Sequence, residues 1–363
     1  MTDKIKVGIM GATGLVGQEF VRLLKDHPFF KIEFLTASEV SSGKAYKDAV
    51  KWMLDETIPQ EVENMTVIKT QVDEILKTGV KVIFSALPSR IALQIERDLR
   101  NSGYYIFSNS SAYRMNPEVP VLIPEVNYEH VKLIEVQRER YQGFIVTNSN
   151  CAVSGLAMAL KPLYDEFGIE EVTVSTYQSI SGAGLGGLYA MDISGNLIPF
   201  IEGEEEKIEQ ETRKILGRLS DSKVKQIPLK INASCCRVPV RRGHLESVVV
   251  KLKKEADLIT IKEILQSFKG VPQNLKLPTA PDNPLVVLEE RDRPQPVLDI
   301  FTGSPQRAKG MAVTIGRLRG EKKVFKFFLL ANNTVRGAAG ASVLNAELAY
   351  AEGIFNSNGG SHG

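Results

Sequence analysis

The chain has 363 residues, of which 43% are hydrophobic and 24% are charged, and its formal net charge is +2. This length allows two or three domains with buried cores, and the composition excludes a disordered, collagen-like or coiled-coil chain. The balanced charge indicates no nucleic-acid binding, and the most apolar stretches, Val80–Leu87 and Val324–Ala331, are too short to span a bilayer. Since there is no signal-peptide pattern, and since Cys151, Cys235 and Cys236 are too few for a disulfide framework, we expect a cytoplasmic protein.

Short apolar strands alternate with helices over the first 150 residues. Residues 4–10 predict a strand, and Gly11–Gly17 predicts a glycine turn. The spacing of the apolar residues after this turn predicts a helix that runs to Leu24. The strand Ile32–Ala37 completes a βαβ unit. Further predicted elements are the strands Val80–Ala86, Tyr104–Ser108 and Phe144–Thr147 and the helix Ser89–Asn101. This alternation predicts a Rossmann-like, doubly wound parallel sheet over residues 1–150, in which 49–64 is irregular.

Beyond residue 150 the pattern changes to one helix, from Cys151 to about Phe167, and then to longer strands. The strand-like stretches are Val172–Ser179, Cys235–Val240, Ser247–Leu252, Met311–Leu318 and Val324–Leu330. They predict a mixed sheet in a second, α+β domain over residues 151–332. Asn332–Phe355 predicts a long final helix, and we assign its residues 333–355 to the first domain. Residues 356–363 predict a disordered tail.

The glycine turn follows a strand and opens a helix. In that position backbone amides and the helix N-terminus can hold a pyrophosphate, with no side chain in the way. The spacing of Gly11, Gly14 and Gly17 is a variant of the dinucleotide-binding fingerprint, and its βαβ setting favours this function over a plain tight turn. The residues expected to contact a cofactor here are Gly11, Thr13, Gly14, Leu15 and Val16.

The end of the second predicted strand bears on the choice between NAD and NADP. An NAD site usually has an acidic residue there, which binds the ribose 2′-hydroxyl and would repel a 2′-phosphate. This strand runs into Ser38, and Ser41, Ser42 and Lys44 follow, so that hydroxyl groups and a cation are available. The pattern therefore favours NADP, while Glu39 leaves NAD as the alternative.

Cys151 is the candidate nucleophile. It follows the strand Phe144–Thr147 and begins a predicted helix, where the helix dipole and free amides should lower the thiol pKa. The alternative is a small buried core residue. Cys235 and Cys236 lie inside a strand pattern and are expected to be structural.

A cysteine nucleophile needs a base, and the chain has four histidines. His27 lies in a predicted turn, His130 in a predicted surface helix and His362 in the tail. His244 lies in a predicted turn between two strands, seven residues after Arg237, in a setting suited to an anionic substrate. It is the candidate base, and a surface histidine is the alternative.

A charged helix is predicted over Glu204–Leu219. At about 100° per residue, Glu204, Lys207 and Glu211 fall on the same side as the apolar residues of this helix. Charges on an inward side are costly unless they are paired or bind a ligand. These three residues are therefore site candidates, and a simple ion-pair cluster is the alternative.

Seven blocks spread over nearly the whole chain carry a more specific signal. They are Gly11–Gly17, Ser110–Met115, Thr147–Cys151, Gln178–Gly184, Gly203–Lys207, Arg237–His244 and Asn332–Gly340. In content and order these blocks closely resemble the aspartate-β-semialdehyde dehydrogenase family, and most of all its archaeal and fungal branch.

The resemblance implies a role for each candidate residue. Cys151 would be the nucleophile, His244 the acid and base, and Gln178 the residue that orients the substrate. Arg237 would bind the substrate carboxylate, and Glu204, with Glu205 as the other possibility, its amino group. The implied phosphate ligands are Arg114, Lys207 and Asn150. The implied NADP contacts are Ser38, Ser41 and Lys44 at the 2′-phosphate, and Ser85, Gly184 and Asn333 elsewhere on the cofactor.

The implied reaction is the reversible, NADPH-dependent reductive dephosphorylation of L-β-aspartyl phosphate to L-aspartate-β-semialdehyde and phosphate, through a thioester on Cys151. The family places it on the pathway to threonine, methionine and isoleucine, and to lysine where diaminopimelate is used. The resemblance also implies a homodimer or homotetramer formed through the sheet of the second domain, which would carry the catalytic and dimerisation elements. We expect small-molecule substrates and no nucleic-acid, membrane or metal partner.

Three other functions stay open. A malonyl-CoA reductase would keep Cys151, His244 and NADPH without needing a phosphate pocket. An N-acetyl-glutamyl-phosphate reductase would leave Glu204 without an amine to bind. A non-catalytic NADP-binding sensor would make Cys151 a core residue.

Overall fold

Two β-sheets organise the structure, a computed structural model that describes residues 3–355. The strands of the first sheet are β1 (Ile5–Met10), β2 (Phe30–Ala37), β3 (Ile68–Lys69), β4 (Val82–Ser85), β5 (Tyr105–Ser108) and β6 (Phe144–Thr147). All pair in parallel, in the order β3-β2-β1-β4-β5-β6. The chain reverses its winding between β1 and β4, which confirms the predicted doubly wound sheet.

Helices cover both faces of this sheet. They are α1 (Leu15–Leu24), α2 (Tyr46–Ala49), α3 (Gln60–Glu63), α4 (Val72–Leu76), α5 (Ser89–Asn101), α6 (Pro124–Asn127) and α7 (Leu133–Arg140), with a 3-10 turn at Tyr128–Lys132. The segment 49–64, predicted to be irregular, contains α3, because the buried side chain of Val62 packs into the core of this domain.

His130 was expected on the surface, and this prediction is wrong. The ring is buried, with Nδ1 3.0 Å from Asn127 Nδ2 and Nε2 3.1 Å from the Gly217 carbonyl oxygen. Both ring nitrogens therefore have partners when the ring is neutral, and burial lowers the pKa of His130 to about 4. His130 ties the first domain to the segment after the charged helix.

The second sheet is mixed, as predicted. The remaining strands are β7 (Ile169–Gln178), β8 (Arg218–Ser220), β9 (Lys223–Lys225), β10 (Lys230–Arg237), β11 (His244–Ala256), β12 (Leu285–Val287) and β13 (Val313–Ala331). The sheet order is β10-β7-β11-β13-β12, with β8 and β9 in a separate hairpin. The remaining helices are α8 (Cys151–Phe167), α9 (Ala190–Ile193), α10 (Glu204–Ile215), α11 (Leu258–Ser267), α12 (Val271–Asn274), α13 (Pro296–Asp299) and α14 (Gly340–Ala351).

Three predicted boundaries in this part were wrong. The stretches Met311–Leu318 and Val324–Leu330 belong to the single strand β13, which pairs first with β12 and then with β11 across an exposed middle. The strand predicted over Cys235–Val240 is β10, which ends at Arg237 where its pairing with β7 ends. The final helix begins eight residues later than predicted, after a wide π-type turn at Val335–Ala339.

Two helices connect the sheets. α8 packs against β11 and β13, so the end of α8 that begins at Cys151 lies beside the second sheet. α14 packs against α1, and its buried residues share a core with β1 and β2. This packing supports our proposal that the final helix and residues 1–150 form one domain. Residues 151–332 then form the other domain. The predicted tail 356–363, with His362, lies outside the described residues. Between residues 3 and 355, no helix has both the length and the apolar character that a bilayer crossing requires.

Candidate active site

Residues that are far apart in the sequence meet at one edge of the second sheet. β7 ends at Gln178 and β10 ends at its partner Arg237, while β11 runs in the opposite direction and begins at His244. α8 begins at Cys151, directly after the end of β6. The strand ends of one domain therefore face the first turn of a helix that leads out of the other.

The thiol and the imidazole are in direct contact. Cys151 Sγ lies 3.1 Å from His244 Nε2. On the other side of the ring, the Ser179 N–H lies 3.2 Å and Ser179 Oγ 3.4 Å from Nδ1. Ser179 Oγ also donates to Asn333 Oδ1 at 3.2 Å. Ser179 thus offers Nδ1 either a donor or an acceptor, so the ring keeps a partner when its protonation changes.

The pKa of Cys151 corrects an expectation from the sequence. Burial raises the thiol pKa to about 12, and the negative charge of Glu204 acts in the same direction. The nearby guanidinium groups of Arg114 and Arg237 oppose this effect without overcoming it. The helix start therefore does not hold a free thiolate in this structure, because desolvation outweighs the dipole and the positive charges.

His244 is matched to this neutral thiol. Burial lowers the pKa of His244 to about 4, although the Glu204 carboxylate pulls it upward. A neutral imidazole beside a neutral thiol can take the proton when attack begins, so reactivity depends on proton transfer within the pair.

Glu204 occupies the centre of the site. Its Oε1 accepts from Asn150 Nδ2 at 2.9 Å and from Gln178 Nε2 at 3.0 Å, and Lys207 Nζ lies 3.7 Å from Oε2. Burial alone would raise the pKa of Glu204, but these hydrogen bonds and the lysine charge lower it overall. Glu205 instead accepts from the backbone of Cys235 at 2.9 Å, so Glu204 is the carboxylate that faces the site.

Arg114 and Arg237 supply two guanidinium groups. Arg114 is 7% exposed. Its Nη1 contacts Glu211 at 3.1 Å, and its Nη2 donates to Asn109 O at 2.8 Å. Its Nε has no partner between residues 3 and 355. Arg237 donates from Nη1 to Ser179 O at 2.8 Å. A buried guanidinium with a free N–H can donate a hydrogen bond to an anionic ligand.

Two other predicted phosphate ligands are less open to an anion. Asn150 Oδ1 caps α8 by accepting from the backbone of Ala152 at 2.9 Å, and its Nδ2 is engaged by Glu204. Lys207 keeps a side chain that is 40% exposed. Lys207 can therefore swing toward a ligand, whereas Asn150 holds the start of the helix.

The glycine turn depends on the absence of a side chain at Gly11. Gly11 adopts φ +76°, and a Cβ there would lie 2.8 Å from the Ala86 carbonyl oxygen. A cavity of about 320 Å³ beside the turn is lined by residues of both domains, among them Leu15, Met53 and Gly184. Thr13 and Val16 flank the same turn.

The other predicted cofactor residues lie in different environments. Ser38 and Lys44 are exposed and Ser41 is half-buried, in the loop after β2. Ser85 is fully buried at the end of β4. Asn333 is buried and accepts from Gly243 N at 2.8 Å, so it holds the turn before His244 as well as Ser179.

Gly337 contacts Cys151, the candidate nucleophile, and no sequence signal indicated this contact. A Cβ at this position would lie 2.8 Å from Cys151 Cβ. We expect Gly337→Ala to displace Cys151 and to lower kcat by about 10²-fold, since small displacements of a reacting group cost that much. Steady-state rates and the rate of Cys151 alkylation by iodoacetamide would measure this. Gly186→Ala, where the added methyl group meets nothing within 4 Å, is the control, and equal rates for the two variants would contradict the prediction.

Comparison with known proteins places these features in a family. The description "Semialdehyde dehydrogenase, NAD binding domain" matches residues 6–134, and "Semialdehyde dehydrogenase, dimerisation domain" matches 160–336. The aspartate-semialdehyde dehydrogenase of Methanothermobacter thermautotrophicus is 47% identical over 95% of this chain and 98% of its own. The malonyl CoA reductase (NADP) of Metallosphaera sedula is 40% identical over 98% of this chain and 99% of its own. The crystal structure of aspartate semialdehyde dehydrogenase with NADP from Candida albicans matches with a TM-score of 0.87 at 37% identity, over 96% of this chain and 99% of that one.

Proposed function

The chain belongs to the aspartate-semialdehyde dehydrogenase family, and from this membership we propose that it reduces L-β-aspartyl phosphate with NADPH to L-aspartate-β-semialdehyde and phosphate, reversibly. The observation that carries the proposal is the Cys151–His244 pair at 3.1 Å, with two guanidinium groups and a carboxylate close enough to act on the thiol. We assign the step to the pathway toward threonine, methionine and isoleucine, and toward lysine where diaminopimelate is the precursor.

Acylation begins with a proton transfer. His244 takes the Cys151 proton at Nε2. In this step the ring carries its other proton on Nδ1, which donates to Ser179 Oγ at 3.4 Å in place of accepting from the Ser179 N–H at 3.2 Å. The thiolate sulfur bonds to the acyl carbon, the carbon–oxygen bond to phosphate breaks, and a thioester on Cys151 remains. Arg114, through its free Nε–H, and Lys207 take up the charge of the leaving phosphate.

Substrate orientation follows from the remaining charges. Arg237 binds the carboxylate of the substrate and Glu204 its ammonium group, with Gln178 beside them. Bound NADPH supplies the hydride that reduces the thioester. The Cys151 amide, in the first turn of α8 where N–H groups have no acceptor within the helix, faces the oxyanion that forms. The proton on His244 returns to sulfur as the carbon–sulfur bond breaks.

The loop after β2 supports NADP over NAD. Glu39, the residue that left NAD open, forms an ion pair with Lys69 Nζ at 2.9 Å. We assign the 2′-phosphate to Ser38, Ser41 and Lys44. Lys44→Gln is expected to raise the KM for NADP about tenfold and to leave the KM for NAD within about twofold, because only NADP carries the extra charge. Equal changes in both constants would contradict this assignment.

Phosphate dependence tests the function. We expect purified protein to reduce NADP with L-aspartate-β-semialdehyde when inorganic phosphate is present, and to be inactive with this aldehyde when phosphate is omitted. No turnover under either condition would overturn the proposal. The second candidate is a malonyl-CoA reductase, favoured by the 40% identity to the Metallosphaera sedula enzyme. NADPH oxidation with malonyl-CoA, in the absence of phosphate, would establish it instead.

The assembly and the compartment are also proposals. We propose a homodimer or homotetramer, which the dimerisation-domain match over 160–336 supports. Large exposed apolar side chains in this region also support it; they are Leu185, Tyr189, Met191, Leu197 and Phe200. We propose the cytoplasm as the location, because all three cysteines are free thiols.

A further inference from the structure

α10 carries two buried charged residues that the proposed mechanism does not use. Besides Glu204 and Lys207, it buries Glu211 and Lys214 toward the loop after β5, which carries Arg114. Neither residue has a substrate to bind in the mechanism above. Each is nonetheless held at hydrogen-bond distance by groups of the other domain.

Glu211 connects the arginine to the helix that carries the nucleophile. Its Oε1 lies 3.1 Å from Arg114 Nη1, and its Oε2 accepts from the backbone N–H of Asn150 at 2.6 Å. Glu211 is 2% exposed. One buried anion therefore sets the distance between Arg114 and the residue that precedes Cys151.

Lys214 holds the backbone of the same loop. Its Nζ donates to the carbonyl oxygens of Arg114 at 2.6 Å, Asn116 at 2.7 Å and Val119 at 2.9 Å. The three N–H groups of the ammonium thus each have an acceptor. Since the carbonyl of Arg114 itself is one of these acceptors, Lys214 fixes the backbone from which the guanidinium extends.

The contacts leave one part of Arg114 free. Glu211 and Asn109 O occupy Nη1 and Nη2, whereas the buried Nε has no partner in the described part of the chain. The arginine is therefore turned so that its Nε–H is left without a protein partner and can donate to a ligand, and this orientation depends on Glu211 and Lys214.

We propose that Glu211 and Lys214 are positioning residues of the phosphate pocket, which orient Arg114 for the phosphate of the acyl phosphate without touching the substrate. The inference rests on the proposed function, because it needs phosphate to be a substrate of the reverse reaction. It implies that the two residues govern the use of phosphate and not the use of the aldehyde.

Glu211→Gln separates the two contacts of the carboxylate. The Gln carbonyl oxygen can still accept from Asn150 N, but its NH₂ group then faces the Arg114 guanidinium, donor against donor. We expect the KM for inorganic phosphate to rise at least about tenfold, with kcat at saturating phosphate and the KM for the aldehyde within about threefold. Glu206→Gln, at an exposed position of the same helix, is the matched control and should leave all three constants unchanged.

A double-variant cycle tests the dependence on Arg114. Glu211→Gln should add nothing to Arg114→Gln, because its effect passes through the arginine, whereas its effect should multiply with that of Lys207→Gln. A Glu211→Gln protein in which kcat and both KM values worsen together, or in which only the melting temperature falls, would overturn the inference. If Glu211→Gln does not fold, Lys214→Gln carries the same prediction with the Glu211 contacts intact.

The wild-type protein separates this inference from the function itself. Turnover of the aldehyde that does not need phosphate would overturn the proposed function and the inference together. Phosphate-dependent wild-type turnover with an unchanged phosphate KM in both Glu211→Gln and Lys214→Gln would overturn the inference alone.

Discussion

Cys151→Ser should lower kcat for phosphate-dependent NADP reduction by at least about 10⁴-fold, because a serine hydroxyl is a far weaker nucleophile and acid than a thiol. The burial that raises the Cys151 pKa to about 12 would act on a hydroxyl as well, and His244, whose pKa burial lowers to about 4, is a weak base for removing a hydroxyl proton. Initial rates of NADPH formation measure the effect, and a thermal melt checks that the variant folds.

Cys236→Ser is the matched control for this change. Cys236 lies on β10, half-buried, and contributes no contact to the site described above. Its replacement should leave kcat within about twofold. A Cys151→Ser protein that kept a tenth or more of the activity would show that Cys151 is not the nucleophile and would make it a core residue.

His244→Gln is expected to lower kcat by about 10²–10⁴-fold, the range for removing a general acid and base. The side-chain amide can still contact Cys151, but it cannot take the thiol proton. Alkylation of Cys151 by iodoacetamide should slow in the variant, which separates loss of the base from loss of substrate binding.

The rates of the wild-type protein and of His244→Gln should depend on pH in different ways. Since burial lowers the pKa of His244 to about 4, the imidazole is neutral above that pH, and wild-type kcat/KM should lose the contribution of the base only as the pH falls toward 4. In His244→Gln the thiol must lose its proton to water, so its residual rate should rise about tenfold per pH unit between pH 6 and 9, far below the thiol pKa of about 12. An acid limb near pH 6.5 in the wild-type protein would contradict the assignment.

Helical periodicity predicted some of the site residues of α10 but not their partners. The inward angle of Glu204 and Glu211 was visible from the sequence, and both carboxylates are buried at the site. Lys214 follows Glu211 by three positions and falls on the side of Lys207, so the same angular test could have found it. Its three carbonyl partners could not be predicted, because they belong to a loop about a hundred positions earlier in the chain.

Ser179 and Gly337 had no local signal of their function. Ser179 contacts His244 because β7 and β11 are neighbours in the sheet, and Gly337 touches Cys151 because the turn before α14 lies against the start of α8. Such contacts arise where two elements meet, and the spacing of residues along either element does not encode them.

The sequence by itself determined the parallel first sheet and the mixed second sheet and predicted Cys151 as the nucleophile, because strand periodicity, a glycine turn and a cysteine at a helix start are local patterns. Tertiary structure alone decided the protonation of the Cys151–His244 pair and the orientation of Arg114. A helix start predicts a lowered thiol pKa, yet burial raises it to about 12, since desolvation depends on everything packed around the sulfur. Likewise, the charge on Arg114 is a property of one residue, whereas the direction in which it points depends on Glu211 and Lys214 of the other domain.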